Sequence, residues 1–157
     1  MLTLRPFNKK DLPLLARWLY GEHAASRIES PEDWLAELHD RDSAFTHIVA
    51  EVDGKPMGCC RYREAPSCYT EQEWAEIMQK LPRCAPPGKE FDMDYLIGEL
   101  EYIPPGYGRV MLDRMVDLLY RQGATHVVVT PEEGDKAAKQ FLESCYFLWE
   151  GGFYTHR

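Results

Sequence analysis

The sequence lacks the features of several protein classes. Apolar runs such as residues 48–50 and 127–129 are far shorter than the roughly 20 residues that a membrane-spanning helix needs. Charged residues are scattered through the first twenty positions, where a signal peptide needs an unbroken apolar segment. We therefore expect a cytoplasmic protein with no membrane partner.

Basic residues are also scarce. The chain has 18 Lys and Arg against 26 Asp and Glu, and its net charge is -8. This balance disfavours nucleic acid as a partner and suits a cationic one. The five cysteines are an odd number without C-x-x-C spacing, and the histidines lie singly. Neither a disulfide framework nor a metal site is predicted.

The length and composition predict one globular domain. The chain has 157 residues, of which 45% are hydrophobic, and this is the usual size of a single domain. Residues 64–90 interrupt the regular patterns with several prolines. We interpret them as an inserted loop with one short helix inside a domain that spans residues 1–157.

Hydrophobic periodicity predicts an α/β (α+β) fold. Strands are expected at residues 2–6, 47–52, 56–62, 91–102 and 127–129 and in a terminal hairpin at 146–154, and helices at residues 8–20, 31–40 and 134–144 and after Gly108. The antiparallel start passes into a parallel strand–helix–strand crossover. We expect a mixed, mostly antiparallel sheet with helices on both faces.

The junction after the long strand is the most informative segment. Its sequence is Ile103-Pro104-Pro105-Gly106-Tyr107-Gly108, directly before an amphipathic helix. A helix N-terminus presents unpaired N–H groups and a partial positive charge, which suit a phosphate. The loop lacks the lysine of a Walker A motif and the three glycines of a dinucleotide fingerprint. A pyrophosphate without a metal fits best, and a plain turn is the alternative.

At this loop the sequence resembles the GCN5-related N-acetyltransferase (GNAT) family, whose loop reads Q/R-x-x-G-x-G/A. The likeness extends over nearly the whole chain in element order and implies the GNAT fold, with acetyl-CoA as co-substrate and no metal. It also implies which residues contact acetyl-CoA: Tyr102, Ile103, Gly106, Tyr107, Gly108, Arg109, Asp135 and Lys139. For Asp135 an N-cap role is the alternative, and for Lys139 a solvated helix face.

Within the family, the sequence is most similar to aminoglycoside 6′-N-acetyltransferases. The segment Phe91-Asp92-Met93-Asp94-Tyr95-Leu96-Ile97-Gly98-Glu99 looks like their catalytic segment and puts Asp94 at the position of the proposed catalytic aspartate. Acetyl transfer needs a neutral amine, and a carboxylate can both bind an ammonium group and remove its proton.

Our site predictions follow from this likeness. The catalytic candidates are Asp94 and Glu99, and the substrate-binding candidates are Trp18, Trp34, Asp92 and Asp94. For the two aspartates the alternative is that they are solvated or pair with nearby lysines, as surface carboxylates commonly do. For the two tryptophans it is packing in the core.

The chain also departs from the family pattern. Leu142 stands where a tyrosine often protonates the departing thiolate, Thr130 where an aspartate is common, and Tyr146 where glycine is usual. Pro104 and Pro105 have no N–H to donate. Tyr102 and Tyr107 are candidates to replace the missing tyrosine as proton donor.

These observations lead to one main function and two alternatives. The main prediction is an enzyme that moves acetyl from acetyl-CoA to a primary amine of a small polycationic acceptor, with aminoglycoside 6′-N-acetylation as the specific candidate. The alternatives are an acyl-CoA-binding module without turnover and an acetyltransferase for peptide or lysine amines. A homodimer is left open.

Overall fold

A seven-stranded sheet runs through the described part of the chain, which in this computed structural model comprises residues 1–21, 31–40, 43–65, 71–80, 89–102, 106–131 and 135–156. The strands are β1 (Leu2–Pro6), β2 (Thr46–Val52), β3 (Lys55–Glu64), β4 (Glu90–Ile97), β5 (His126–Val129), β6 (Leu148–Trp149) and β7 (Tyr154–His156). Their order is β1-β2-β3-β4-β5-β7-β6, and only β4 and β5 pair in parallel. The predicted mixed, mostly antiparallel sheet is confirmed.

Helices cover both faces of this sheet, as predicted. They are α1 (Leu12–Leu19), α2 (Pro31–His39), α3 (Glu71–Lys80), α4 (Tyr107–Arg121) and α5 (Lys136–Ser144). The apolar sides of α4 and α5 pack in the larger core cluster, with Met111, Leu112, Met115, Leu119 and Leu142 fully buried. The opposite face carries the smaller cluster, formed by Leu15, Trp18 and Leu19 of α1 and Trp34 of α2 against Val49, Cys59 and Leu96.

Alternation along the strands decides which side chains face which cluster. Cys59 lies in the smaller cluster and Cys60 in the larger one, as predicted for neighbours on a strand. On β4, Phe91 and Met93 face the larger cluster. Asp92 and Asp94 therefore project from the face that α1 and α2 cover.

The strand predicted at residues 91–102 is shorter than expected. It ends at Ile97, and a 3-10 turn follows at Leu100–Tyr102. The amide of Gly98 instead donates to the carbonyl of Met57 at 2.7 Å. A Cβ on Gly98 would come within 2.0 Å of the Trp18 ring, so the buried indole occupies the space that a side chain would need there.

Other boundaries differ less. Asn8 is a cap as predicted, but it caps a 3-10 turn at Lys9–Asp11 that precedes α1. The predicted cap Ser30 lies outside the described residues. A helix is present within residues 64–90, at α3. The single-domain organisation and the placement of this segment as an insertion stay predictions.

Helix α5 ends in a Schellman motif with an unusual residue. The amide of Phe147 donates to the carbonyl of Leu142 at 3.0 Å, and that of Tyr146 to the carbonyl of Glu143 at 3.1 Å. The motif holds Tyr146 in the left-handed region with φ 69°. Glycine is usual at this position because a Cβ there costs roughly 1–2 kcal/mol. Tyr146, which departs from the family pattern in the sequence, is thus a strained residue.

Replacement of Tyr146 by glycine should stabilise the protein. We expect a gain of about 1 kcal/mol and a rise in Tm of about 2–4 °C for a chain of this length. Thermal unfolding followed by circular dichroism measures it. Tyr146→Ala is the control, because it removes the ring but keeps the strained Cβ, and it should give no gain. An equal rise in Tm in both variants would contradict the role of backbone strain.

Candidate active site

The parallel pairing of β4 with β5 covers only the first three residues of β4. The paired residues are Glu90 with His126, Phe91 with Val127 and Asp92 with Val128. Strand β4 then continues to Ile97, whereas β5 ends at Val129. Ligand sites in open sheets lie at the carboxyl ends of parallel strands, where neighbouring chains part.

Helix α4 begins beside the end of β4. Its N-cap is Gly106 with φ 118°, no side chain caps the helix, and no acidic residue lies in its first turn. A Cβ on Gly106 would meet nothing within 4 Å. The first amides of the helix have no partner within it, so the described residues leave them available to an anion. The predicted contact Ile103 lies outside the described residues.

Gly108 allows α4 to approach β4 closely. A Cβ at Gly108 would lie 2.6 Å from Ile97 Cδ1 and 3.3 Å from the Phe141 ring of α5. The Phe141 ring also packs against Tyr95, with 5.6 Å between centroids. These contacts fix the start of α4 against both β4 and α5.

Asp94 is held by an arginine from the neighbouring strand. Arg61 Nε on β3 donates to Asp94 Oδ2 at 2.9 Å, and Arg61 Nη1 donates to both carboxylate oxygens of Glu37 on α2 at 2.7 Å. The guanidinium lies over the rings of Trp34 and Phe45, at 4.4 and 4.6 Å from their centroids. One cation thus joins two carboxylates from separate elements.

A comparison with models of protein families identifies the family of the chain. A family model described as an acetyltransferase (GNAT) domain matches residues 8–153. The chain belongs to the GNAT family of acetyltransferases. It is therefore an N-acetyltransferase, as the resemblance in the sequence implied. No curated protein sequence matches the chain significantly.

Solved structures similar to this GNAT chain share its fold. The aminoglycoside acetyltransferase AAC(6')-Ib with coenzyme A and kanamycin is 20% identical, with 99% of this chain and 94% of that chain covered and a TM-score of 0.76. The aminoglycoside N(6')-acetyltransferase of Legionella pneumophila is 17% identical, with 98% and 89% covered and a TM-score of 0.78. A chimera of Vibrio cholerae spermidine N-acetyltransferase SpeG and hSSAT is 17% identical, with 98% and 93% covered and a TM-score of 0.69.

The second predicted aspartate of this GNAT site has a different environment. Asp92 Oδ2 lies 3.4 Å from Arg63 Nε, and the neighbouring Glu90 lies 2.9 Å from His126 Nε2. Burial, together with the charge of Glu90, raises the pKa of Asp92, and Arg63 opposes this shift. Both aspartates are therefore ion-paired, with arginines rather than with the lysines expected of surface carboxylates.

Glu99 and the two predicted tryptophans are held in the structure as follows. Trp18 Nε1 donates to Glu99 Oε1 at 3.0 Å, and Arg17 reaches the same oxygen. The exposed fractions of Trp18 and Trp34 are 2% and 1%. Both rings have the packing role named as the alternative, and their contact with a substrate stays a prediction. Glu99 is tied to α1, near the turn that leads to α4.

The predicted donor-binding residues near α4 include two tyrosines in contact. The rings of Tyr102 and Tyr107 meet edge to face with 5.4 Å between centroids. Burial, with a contribution from the Glu101 carboxylate, raises the pKa of Tyr102. The raised pKa makes this phenol a weaker acid and does not by itself favour Tyr102 as the proton donor. Leu142, at the usual tyrosine position, is fully buried in the larger cluster.

The remaining predicted residues lie on or near α5. Asp135 accepts the amide of Ala138 at 3.0 Å and is the N-cap of α5, the role that was named as its alternative. Lys139 Nζ lies 5.2 Å from the centroid of the Trp149 ring. Arg109, in the first turn of α4, lies over the Tyr146 ring at 5.6 Å.

Sequence reasoning missed Arg61, Glu37 and Arg63. A usable signal was present, because Arg61 and Arg63 alternate on β3 as Asp92 and Asp94 do on β4. Opposite charges with matching period-2 spacing favour cross-strand pairs. Glu37 had no comparable signal, since α2 is distant in sequence from both strands.

Two further findings concern metals and membranes. Within the described ranges, no group of three or more His, Cys, Asp or Glu side chains is placed to hold a metal ion. Among the helices of those ranges, none has the length and apolarity required to cross a membrane.

Removal of Arg61 should destabilise the protein. Arg61→Met leaves Glu37 and Asp94 without their shared cation, and we expect a loss of about 2 kcal/mol in the free energy of unfolding. Adding Glu37→Gln should restore part of it, because one unpaired charge is removed. Urea unfolding of the single and double variants measures both effects.

Arg63→Met is the matched control for this experiment. Its ion pair with Asp92 is longer and both side chains are more exposed, so the loss should stay below about 1 kcal/mol. An equal loss of unfolding free energy in Arg61→Met and Arg63→Met would contradict a larger stabilising role for the Arg61 contacts.

Stability should also depend on His47, which lies between the rings of Phe7 and Trp34. Neither ring nitrogen has a hydrogen-bond partner among the described residues, and Glu37 is 3.8 Å away. Burial, and secondarily the charge of Arg61, lowers the pKa of His47 from 6.5 to about 4. Between pH 6.5 and about 4, His47 therefore binds a proton in the unfolded chain but stays neutral in the folded chain.

We therefore expect acid to destabilise the protein through His47. Relative to its value above pH 6.5, the free energy of unfolding should decrease by about 1–2 kcal/mol as the pH falls towards 4. His47→Leu should flatten this part of the stability profile, measured by urea unfolding at pH 7, 6, 5 and 4. An unchanged slope in the variant would assign the acid sensitivity to other groups.

Proposed function

We propose that this GNAT enzyme transfers acetyl from acetyl-CoA to a primary amine of a small polycationic acceptor, with the 6′-amine of an aminoglycoside as the specific candidate. One observation supports this most strongly. The uncapped start of α4 lies beside the end of β4, beyond the residues of β4 that pair with β5, and β4 carries Asp92 and Asp94. An anionic donor and a cationic acceptor can therefore meet along one strand.

The donor half of the proposal rests on the loop. Amides of Tyr107, Gly108 and Arg109 would hold the donor's diphosphate, because the helix start has neither a capping side chain nor an acidic neighbour. The open side of Gly106 lets a phosphate approach the backbone. Similar structures were solved with coenzyme A bound, which supports the same donor here.

The acceptor half rests on charge. Glu37 and Asp94 together outnumber the single cation Arg61 that joins them, so this cluster keeps one net negative charge. A negative cluster attracts a polycation and disfavours an anionic acceptor. Proteins with similar folds are named as acetyltransferases of aminoglycosides or of spermidine. Both kinds of acceptor are polyamines.

In the reaction, the acceptor ammonium must lose a proton before its nitrogen attacks the thioester carbonyl. Asp94 is the proposed base, directly or through a water, with Arg61 fixing Oδ2 and so orienting the carboxylate. Asp92 supports the negative field, and Glu99 is the second catalytic candidate. The new C–N bond forms as the C–S bond breaks, and Tyr102 or Tyr107 is the proposed source of the proton for the thiolate.

A second candidate function has its own observation. Leu142 is buried in the core where a family tyrosine would donate a proton, and this favours an acyl-CoA-binding module without turnover. Calorimetry with acetyl-CoA, followed by a thiol-release assay with aminoglycosides, polyamines and peptides, separates the two. Binding with thiol release supports the enzyme, and binding alone supports the module. Absence of acetyl-CoA binding would refute both.

Asp94→Asn should lower kcat by at least about 100-fold and change the Kd for acetyl-CoA little. The asparagine oxygen can still accept from Arg61 Nε, so the fold and the orientation are kept. Asp92→Asn is the matched control on the same face of β4, and we expect a smaller loss from it. The assignment of the base to Asp94 fails if its variant keeps wild-type kcat or if Asp92→Asn is the more damaging change.

A further inference from the structure

A cavity lies away from the donor loop, between the edge strand β1 and the second half of α4. Its volume is about 530 Å³, which falls within the range of roughly 300–1,000 Å³ that small-molecule sites occupy. The residues that line it are Leu4, Arg114, Asp117, Leu118, Arg121 and Gln122. We call this cavity the edge pocket.

The edge pocket is separate from the proposed active site. Strand β1 lies three places from β4 in the sheet, and a strand spacing of about 4.8 Å puts the two about 14 Å apart. Arg114 comes two turns after Tyr107, the first residue of α4, which is about 10 Å along a helix axis. The edge pocket shares no residue with the donor-binding, acceptor-binding or catalytic candidates.

One face of α4 forms most of the pocket wall. Arg114, Leu118 and Arg121 are spaced by four and three residues, which places them on one side of the helix. Leu118 and Leu4 pack against the larger core cluster and remain partly exposed. The pocket therefore combines an apolar floor with guanidinium groups at its edge.

The positive charge of the edge pocket exceeds the negative charge. Arg121 Nη2 pairs with Asp117 Oδ2 at 2.9 Å within the helix. Within the described part of the chain, Arg114 makes neither an ion pair nor a hydrogen bond. The pocket thus keeps one positive charge in a chain whose net charge is -8. An unpaired cation beside an apolar floor complements an anion that carries a hydrocarbon chain.

Arg114 is a better position for this anion than Arg121. The carboxyl end of a helix carries a partial negative charge, which opposes an anion beside Arg121 and Gln122. Arg114 lies two turns before that end, and its planar fork can hold both oxygens of a carboxylate. One unpaired guanidinium balances one negative charge, and Leu4 and Leu118 offer apolar contact to an aliphatic chain.

We propose that the edge pocket binds an aliphatic monocarboxylate, with the carboxylate on Arg114 and the chain against Leu4 and Leu118. This inference does not depend on the proposed function, because the pocket and the donor loop share no residue. Polycations, which suit the acidic cluster at Asp94, are repelled by the charge of this pocket.

Calorimetry with sodium octanoate as the probe tests the proposal. The wild type should bind octanoate, and Arg114→Met should weaken binding at least about 10-fold, because a charge-assisted contact is lost. From butanoate to hexanoate to octanoate, the affinity should rise by up to about 4-fold for each added CH₂ group. Octylamine has the same chain and the opposite charge, and it should not compete with octanoate.

Three controls accompany this experiment. Asp117→Asn removes the negative charge and frees Arg121, so octanoate should bind about 2- to 5-fold more tightly, an effect that misfolding cannot produce. Arg63→Met is the matched arginine change beside Asp92 on the other face of the sheet, and it should leave the Kd for octanoate unchanged. Saturation with acetyl-CoA should leave that Kd unchanged as well.

Each outcome has a separate meaning. Absence of octanoate binding by the wild type, or an equal Kd in Arg114→Met, would overturn the edge pocket as a carboxylate site. Displacement of octanoate by acetyl-CoA would also overturn it, because the probe would then lie at the donor site. If the wild type binds octanoate through Arg114 but binds no acetyl-CoA, the proposed function fails and this inference stands.

Discussion

The close approach of α4 to the end of β4 is the constraint on which the site depends. Gly108 lies so near Ile97 and Phe141 that a single added carbon would collide with the Ile97 side chain. This contact brings the helix start to the point where β4 has left β5. A larger residue would force either the Ile97 side chain or the helix to move, and a shift of the helix would separate its amides from the strand that carries the carboxylates.

On the opposite face of the sheet, contacts of the Trp18 and Arg61 side chains hold the site. Trp18 fills the space beside Gly98, where β4 gives way to the turn before α4. Arg61 joins α2 to β4 through two carboxylates and lies over two aromatic rings. A planar guanidinium can make both kinds of contact at once, whereas an ammonium group offers no planar fork. The position of Asp94 thus depends on the packing of α2.

Gly106 at the start of α4 and Tyr146 after the end of α5 both have a positive φ. The glycine gives the backbone a conformation and an approach that a side chain would block, and the tyrosine adopts a related conformation at a cost. Between them, Arg109 connects the first turn of α4 to the end of α5. Contacts between α4 and the segment after α5 thus continue beyond the glycine-bearing loop.

Much of the fold could be predicted from local patterns. The period-2 alternation assigned Cys59 and Cys60 to opposite faces, and the order of strands and helices indicated the parallel crossover at β4, α4 and β5. These predictions succeeded because neighbouring residues on a strand or helix have fixed relative directions. The predicted end of β4 was wrong by several residues: the strand ends at Ile97, and Gly98 then packs against Trp18 of α1, a contact that local spacing does not indicate.

The sequence by itself determined the element order, the faces of the strands and the glycine-bearing loop that resembles the GNAT motif. Only the tertiary structure decided that Arg61 pairs with Asp94, that Glu37 joins them and that both tryptophans are buried. A slip of two residues between β3 and β4 would keep every side chain on its face and still pair Arg61 with Asp92. Local spacing cannot distinguish these registers, because the choice between them is made by the packing of elements that are distant in the chain.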